Sequence, residues 1–315
     1  LELDLLASNY DYRQHKGGVA NILDQLNEFN AFKAGGWSAL SSTAQQQIND
    51  LRSINTDWND ILFRNVFNQE YNASVAGGGE KASYYASAGY YDEQGIVKGV
   101  ENNRYNFTLK GTFKINKKLT LGASVFANQR KQTSFLTDTG GFTNPVYYSR
   151  EANPYFQPFK TDGSYNYDTN VQGRESSNAP DFNIFEERAN TSKRRRDYSV
   201  MTIIDAEYKL NSDFKLTSQF GYQFDNYSLR RYQGGDSYAM RKEKEYATYM
   251  TSGGVQQTIF PEGGALRTTD SYRRQWLWKA MAEYNHRFAK YHDVELMLGT
   301  EVRHNTTQST SSVAY

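Results

Sequence analysis

The chain has 315 residues and a formal net charge of +1, so length suits one large domain or two ordinary ones, and no charge bias points to nucleic acid. Apolar residues make up only 38 % and mean hydropathy is −0.80, yet aromatics reach 15 %, which excludes the aromatic-poor composition of a disordered chain. No apolar run reaches the length of a membrane helix, and cysteine is absent, which removes disulfides and thiolate metal sites.

Residues 1–67 read as a partly helical loop segment. Stretches 18–32 and 42–54 have helix-like spacing, with Ile22, Leu26 and Phe29 on one side, and Gly35-Gly36 separates them. From residue 68 the pattern becomes strand and turn. A strand at 69–76, a turn at Gly77-Gly78-Gly79-Glu80-Lys81 and a return at 83–92 lead through Gln94-Gly95 into the longest early alternation, 104–115. There Tyr105, Phe107, Leu109, Phe113 and Ile115 fall on one face, with Gly111 among them, and Arg104, Asn106, Thr108, Lys110, Thr112 and Lys114 on the other. After the Asn116-Lys117-Lys118 turn, Leu119, Leu121, Ala123, Val125 and Ala127 resume the apolar face. Period two means strand, since successive strand side chains point to opposite sides.

A long stretch at 131–196 has little periodicity and holds Pro145, Pro154, Pro158 and Pro180. Alternation resumes with Tyr198, Val200, Thr202, Ile204, Ala206, Tyr208 and Leu210, turns at Asn211-Ser212-Asp213, and returns through Phe214, Leu216, Phe220, Tyr222 and Phe224. A second long connection spans 232–271. The last hairpin carries Trp276, Trp278, Ala280, Ala282, Tyr284 and Phe288 on one face, turns at 289–292, and returns through Val294, Leu296, Leu298 and Val302.

Two properties of these strands matter for function. They are long: ordinary strands run about 5–6 residues, whereas a tilted membrane-crossing strand needs about 9–11. Their connections also alternate in length, short at 77–82, 116–118, 211–213 and 289–292, longer at 93–103, 131–196 and 232–271. Outer-membrane barrels put short turns on the periplasmic side and long loops outside. The reading is all-β: an antiparallel transmembrane β-barrel segment of about eight strands with long extracellular loops, in the bacterial outer membrane. On this reading Leu109 faces lipid and Thr108 the lumen, and Tyr84, Tyr85, Tyr90, Tyr91, Tyr198, Tyr208, Trp276 and Tyr284 fit interfacial girdles.

Several short motifs then follow in fixed order: Thr56-Asp57-Trp58-Asn59-Asp60-Ile61, Tyr71-Asn72-Ala73-Ser74-Val75-Ala76-Gly77-Gly78, Tyr84-Tyr85-Ala86-Ser87-Ala88-Gly89-Tyr90, Glu93-Gln94-Gly95-Ile96-Val97 and Arg104-Tyr105-Asn106. Asn153-Pro154-Tyr155 with Asp162-Gly163-Ser164-Tyr165, and His292 to Glu301 with its Gly-x-Glu ending, continue the series. The set resembles the SusC/RagA family of TonB-dependent transporters of Bacteroidetes outer membranes. The resemblance implies a parent with an N-terminal extension, a plug and a barrel of about 22 strands. Of these the chain is expected to hold only the early-to-middle barrel, from the first extracellular loop onward, as a mature or excised piece that opens at Leu1 with no signal peptide. It implies import of glycans, oligosaccharides or peptides, a SusD-like surface lipoprotein as lid, and coupling to TonB through a part of the parent outside this chain.

Catalysis finds no support: histidines are His15, His286, His292 and His304, and no GxSxG, P-loop, HExxH or EF-hand pattern occurs. A non-enzyme without cofactor or metal is expected. Tyr147, Tyr148, Tyr155, Phe156 and Phe159 in the long loop, and Trp37 in the N-terminal segment, are candidates for substrate or lid contact, because aromatic faces suit sugar rings and apolar side chains. The competing role is self-packing, since so long a loop needs its own core. Arg130, Lys131, Arg194, Arg195, Arg196, Arg230, Arg231, Arg273 and Arg274, with Lys193, fall where strands meet long loops and are candidates for lipopolysaccharide phosphate. Two other function classes compete with the importer: a small eight-stranded barrel for adhesion or anchoring, which must close on itself, and a soluble β-rich carbohydrate-binding module, whose apolar faces must be covered by protein.

Overall fold

The computed structural model describes residues 2–8, 18–137, 141–168, 180–246, 248–250, 254, 256–258, 263–289 and 291–315. Short helices come first: α1 (Glu2–Ala7), α2 (Gly18–Gln25), α3 (Phe29–Gly35), a 3-10 turn (Gly36–Ala39), α4 (Ser42–Ser53) and α5 (Trp58–Leu62). Then follow β1 (Gln69–Gly78), β2 (Ala82–Gln94), β3 (Glu101–Lys114), β4 (Leu119–Ser134), α6 (Pro145–Glu151), α7 (Ile184–Asn190), β5 (Thr191–Lys209) and β6 (Phe214–Gln233). The chain ends with α8 (Tyr238–Tyr246), a small hairpin of β7 (Thr248–Met250) and β8 (Gln256–Thr258), β9 (Ala265–Phe288) and β10 (His292–Ala314). The first helices form a small core of their own around Leu6, Leu23, Phe32, Ala44 and Ile48.

Eight strands make one sheet in the order β1-β2-β3-β4-β5-β6-β9-β10, each antiparallel to its neighbour. The short turns explain the meander. Asn116 Oδ1 accepts from the backbone N–H groups of Lys118 (2.8 Å) and Leu119 (2.9 Å), and Asn211 Oδ1 does the same for Asp213 (2.9 Å) and Phe214 (2.8 Å). Each asparagine thereby closes a tight turn with its own side chain and sets the register of the hairpin.

The register carries a global geometry. Ala73, Ala88, Phe107, Ala127, Val200, Phe224, Arg274 and Thr306 lie side by side in one ladder row. Ala73 stands five residues before the short-turn end of β1 at Gly78, whereas Arg274 stands fourteen before that of β9 at Phe288. A stagger of about nine residues at ~3.3 Å, across the six ladder spacings of ~4.8 Å from β1 to β9, inclines the strands by roughly 45° if the short turns share a plane. That is the tilt that closes a membrane barrel, about 35–45°.

The two faces differ in kind across the middle of the sheet. Tyr71, Val75, Tyr84, Phe107, Leu109, Phe113, Val200, Ile204, Leu216, Phe220, Trp278, Leu296 and Leu298 all expose a third or more of their surface, and the register puts them all on one side. On the other side lie Thr108, Lys110, Asp205, Glu207, Lys215, Gln219, Lys279 and Glu283. Lys215 and Glu283 pair at 2.7 Å, and Gln219 donates to Asp205 at 2.6 Å. Leu109 and Thr108 fall on the apolar and polar faces respectively. Of the expected girdle residues, Tyr85 and Tyr91 turn to the polar face, because they directly follow the outward Tyr84 and Tyr90 in the strand.

The strands run further than their hydrophobic pattern. β4 reaches Ser134, β5 starts at Thr191, β6 reaches Gln233 and β9 starts at Ala265, so the long loops are 135–190 and 234–264 rather than 131–196 and 232–271. At the β4 and β5 ends both faces are polar, and at the β6 and β9 ends Leu229, Tyr232 and Leu266 are too sparse among polar residues to mark an alternation. The sheet is open, with β1 and β10 at its edges, and every residue of β10 is exposed.

The face assignment has a direct test in the full-length protein refolded into lipid. Leu109→Arg should cost about 2–4 kcal/mol of barrel stability and lower the folded fraction, while Thr108→Arg leaves it unchanged. Heat-modifiable gel mobility reads the folded fraction, and equal loss from both changes means that the faces are misassigned.

Candidate functional site

The long-loop end of the sheet carries a compact aromatic core assembled from three distant segments. It begins at α5, where Asp57 Oδ1 caps the helix by accepting from Asn59 N–H (2.9 Å) and Asp60 N–H (3.2 Å). That cap orients Trp58, which is 4 % exposed and donates its Nε1–H to the Asn153 carbonyl at 3.0 Å. Thr56 N–H donates to the Pro154 carbonyl at 2.6 Å. Two motifs nearly a hundred residues apart thus interlock through main chain and indole. Tyr148 meets Trp58 edge-on at 5.1 Å, Phe156 stacks on it at 6.0 Å, Phe182 meets Tyr148 at 5.3 Å and Tyr238 meets Phe182 at 5.1 Å.

Several polar groups inside this core are hydrogen-bonded. Tyr148 Oη donates to Asp168 Oδ2 at 2.7 Å, and burial, reinforced by the Asp168 charge, pushes the phenol well above its usual range. Asn183 caps α7 with its Oδ1, and its Nδ2 donates to the carbonyls of Pro158 (2.7 Å) and Asn166 (2.6 Å). Tyr238 N–H donates to the Glu187 carboxylate at 2.6 Å. The Glu93–Val97 motif docks on the same end: Arg64 N–H donates to the Ile96 carbonyl at 2.8 Å, Lys98 N–H to that of Leu62 at 3.1 Å, and Phe63 bridges to Val97. Gly95 is required there, since a Cβ would stand 2.7 Å from Val100 Cβ. In the Asp162–Tyr165 motif, Gly163 adopts φ of 83°, and Asp162 Oδ1 accepts from the Ser164 N–H (2.9 Å) and hydroxyl (2.7 Å), which holds its carboxyl below the usual range.

The candidate aromatics divide accordingly. Tyr148, 1 % exposed, lies inside the core and presents no face to a ligand, while Phe156 is half-buried against it. Tyr155 is half-buried. Tyr147 and Phe159 are 43 % and 42 % exposed; Tyr147 rests on Phe142 at 5.7 Å, and Phe159 lies between Tyr165 (5.8 Å) and Phe185 (5.0 Å). Trp37 belongs to the separate core of the first helices, with the Arg52 guanidinium over its ring at 5.0 Å. Sequence reasoning did not single out Asp168, Phe182 or Tyr238 as partners of Tyr148; no local spacing links them.

The rim cations divide by strand parity. Lys131, Arg194, Arg196, Arg230 and Arg274 lie on the face of the apolar belt. Arg130, Lys193, Arg195, Arg231 and Arg273 lie on the opposite face. There Arg195 pairs with Asp197 at 2.9 Å and Arg273 with Asp225 at 2.7 Å, while Arg130 donates to Asn102 Oδ1 at 2.8 Å. Of the histidines, His286 Nδ1 sits 2.9 Å from Asp213 Oδ2 beside a short turn, His304 stacks on Trp276, His292 is exposed, and His15 lies outside the described residues. Among the described residues no three metal-ligating side chains cluster.

The loop core makes two predictions for the full-length protein. Trp58→Ala should cost about 3–5 kcal/mol of loop stability through the cavity it leaves. Tyr148→Phe should cost about 1–3 kcal/mol by removing a buried partner of Asp168. Both changes should speed proteolysis within 135–190 and raise amide exchange there, with the strand ladders unaffected.

No family model matches the chain. It is 32 % identical over 145 residues to the TonB-dependent receptor P39 of Formosa agariphila, an alignment covering 45 % of this chain and 13 % of that protein. It is 23 % identical over 266 residues to the receptor P26 of the same organism, covering 83 % of this chain and 23 % of the relative. It is 27 % identical over 124 residues to the TonB-dependent receptor SusC of Bacteroides thetaiotaomicron, covering 37 % of this chain and 12 % of SusC. The chain thus spans less than a quarter of each of these relatives. Its fold matches a solved RagAB peptide importer in a closed-closed state with a TM-score of 0.60 and 16 % identity, over 97 % of this chain and 34 % of the other. In sequence and in fold, the chain resembles a partial barrel segment of a SusC-like TonB-dependent receptor.

Proposed function

We propose that this chain is a run of consecutive staves from the barrel of a TonB-dependent outer-membrane importer, with the extracellular loops that receive its cargo. The observation that carries this reading is the sheet: a staggered antiparallel meander whose one face is continuously apolar and exposed. From Tyr208 to Tyr198 the outward positions of β5 span ten residues, about 33 Å along the strand and roughly 23 Å along the normal at this tilt, close to the height of an outer-membrane apolar belt. A soluble module has no use for so large an apolar face unless protein covers it.

Closure of these eight strands into a small barrel fits less well. It requires β1 to pair with β10, and their lengths, 10 and 23 residues, are unmatched. The long exposed edge of β10 suits a further strand of a larger barrel, because edge N–H and C=O groups have no partner in lipid. The polar face, with Lys110, Asp205, Lys215, Glu283 and Glu301, suits a water-filled or plugged lumen. SusC is named a TonB-dependent receptor, and RagAB a peptide importer. By that likeness the cargo is a glycan, an oligosaccharide or a peptide, a SusD-like lipoprotein caps the loops, and TonB supplies the energy. Tyr147 and Phe159, the exposed aromatics of the loop, are the residues placed to touch cargo or lid; a transport role calls for no catalytic group.

The test uses the full-length protein in its own outer membrane. A surface lipoprotein should co-purify with it, and uptake of a glycan or peptide should stop when the proton-motive force is dissipated. Phe159→Ala with Tyr147→Ala should weaken cargo or lid binding by roughly three- to tenfold, the value of lost aromatic contacts at about 0.5–1.5 kcal/mol. Uptake that continues without the proton-motive force would overturn the importer reading.

A further inference from the structure

The five outward rim cations present a problem that the importer role does not solve. Arg194 is the direct cross-strand neighbour of Arg230, and Lys131 that of Arg196. Like charges opposite one another in a ladder repel and destabilise the pair. On the inner face of the same strands Arg195 and Arg273 meet Asp197 and Asp225, so carboxylates were available to this part of the sheet. On the outer face Arg194, Arg196 and Arg230 are exposed and have no ion pair or hydrogen bond among the described residues. Asp270, the one carboxylate lining the same hollow, lies within ion-pair distance of none of them.

Position narrows what could offset this charge. Along the outward side of β5 the sequence runs Tyr208, Ala206, Ile204, Thr202, Val200, Tyr198, Arg196, Arg194. Apolar positions give way to a tyrosine and then to two arginines. Tyr198 accepts from Gln129 at 3.2 Å, and Tyr90 packs between Tyr71 and Tyr105 at 6.4 and 4.9 Å, which continues the aromatic boundary across the neighbouring strands. Lys131 lies over the Tyr105 ring and Arg274 over the Tyr272 ring. The cations therefore stand just beyond the aromatic boundary of the apolar belt, at the depth where an outer leaflet carries its charged headgroups.

We propose that Lys131, Arg194, Arg196, Arg230 and Arg274 form a docking patch for the phosphorylated sugar headgroup of an outer-leaflet glycolipid. Arginine suits this ligand, since its planar fork takes two phosphate oxygens at once. The patch would hold one lipid against the wall and cancel the repulsion across the β4–β5 and β5–β6 ladders. The inner-face Arg130, Arg195, Arg231 and Arg273 take no part. This inference rests on the outer-membrane reading above.

The test compares full-length wild-type protein with Arg194→Gln/Arg196→Gln/Arg230→Gln and, as control, Arg195→Gln/Arg273→Gln. Each is first fractionated, and folding is checked by heat-modifiable mobility; Arg230→Gln alone serves if the triple variant does not assemble. Lipopolysaccharide retained after detergent extraction is then measured, with rebinding of lipid A and of dephosphorylated lipid A. The triple variant should retain at least tenfold less lipopolysaccharide, Arg230→Gln alone at least threefold less, and the control the wild-type amount. Dephosphorylated lipid A should rebind at least tenfold more weakly than lipid A. Unchanged retention in whichever outer-face variant assembles, or equal binding of the two lipids, overturns the patch while leaving the barrel standing. Displacement of lipid A by millimolar inorganic phosphate overturns the lipid assignment in favour of a free-anion site. A protein found outside the outer membrane overturns the barrel reading and the patch together.

Discussion

Everything in this molecule depends on the satisfaction of backbone hydrogen bonds between neighbouring strands. A strand in lipid has no water to fall back on, so each N–H and C=O must find a partner across a ladder. The seven ladders joining β1 to β10 supply those partners for all but the two edges. Once the ladders are set, side chains have two destinations only, and the period of two sends Phe107, Leu109 and Val200 one way and Thr108, Lys110 and Asp205 the other. Tilt, belt and rim are consequences of that register, and two asparagine turns and two other short hairpins set it.

The loops obey a different constraint. Fifty or more residues between β4 and β5 cannot remain unpacked at the mouth of a barrel without their own apolar core. Trp58, Tyr148, Phe182 and Tyr238 supply one, and they come from three separate stretches of chain. The core therefore ties the N-terminal segment, the longest loop and α8 to each other at the long-loop end. It also buries Tyr148 and half-buries Phe156, which leaves Tyr147 and Phe159 as the more exposed rings of the loop.

Charge is arranged by the same parity. On the inner face, cations and carboxylates alternate within reach of each other, as in Lys215–Glu283 and Arg273–Asp225. On the outer face Lys131, Arg194, Arg196 and Arg230 line one hollow above the aromatic boundary, without a carboxylate ion pair among the described residues. A difference of one residue along a strand separates Arg195, paired, from Arg194 and Arg196, which have no ion pair among the described residues. The sign and surroundings of each position follow from which side of the sheet it meets.

Local periodicity alone determined the strands, their order as hairpins, the identity of the two faces and the alternation of short and long connections. Those are properties of neighbours in the chain: Leu109 and Thr108 point apart whatever the rest of the molecule does. The motif series from Thr56 to Glu301 was legible too, though not the fact that its parts touch. Tertiary structure decided three things. It extended the strands into stretches where both faces are polar, as at Thr191–Arg196, and where hydropathy carries no signal. It sorted ten rim cations into an outward group and an inward one, because that depends on ladder parity carried through ends that the pattern could not mark. And it buried Tyr148 between Trp58 and Phe182, since contact between residues 58, 148, 182 and 238 is a matter of long-range packing and not of spacing along the chain.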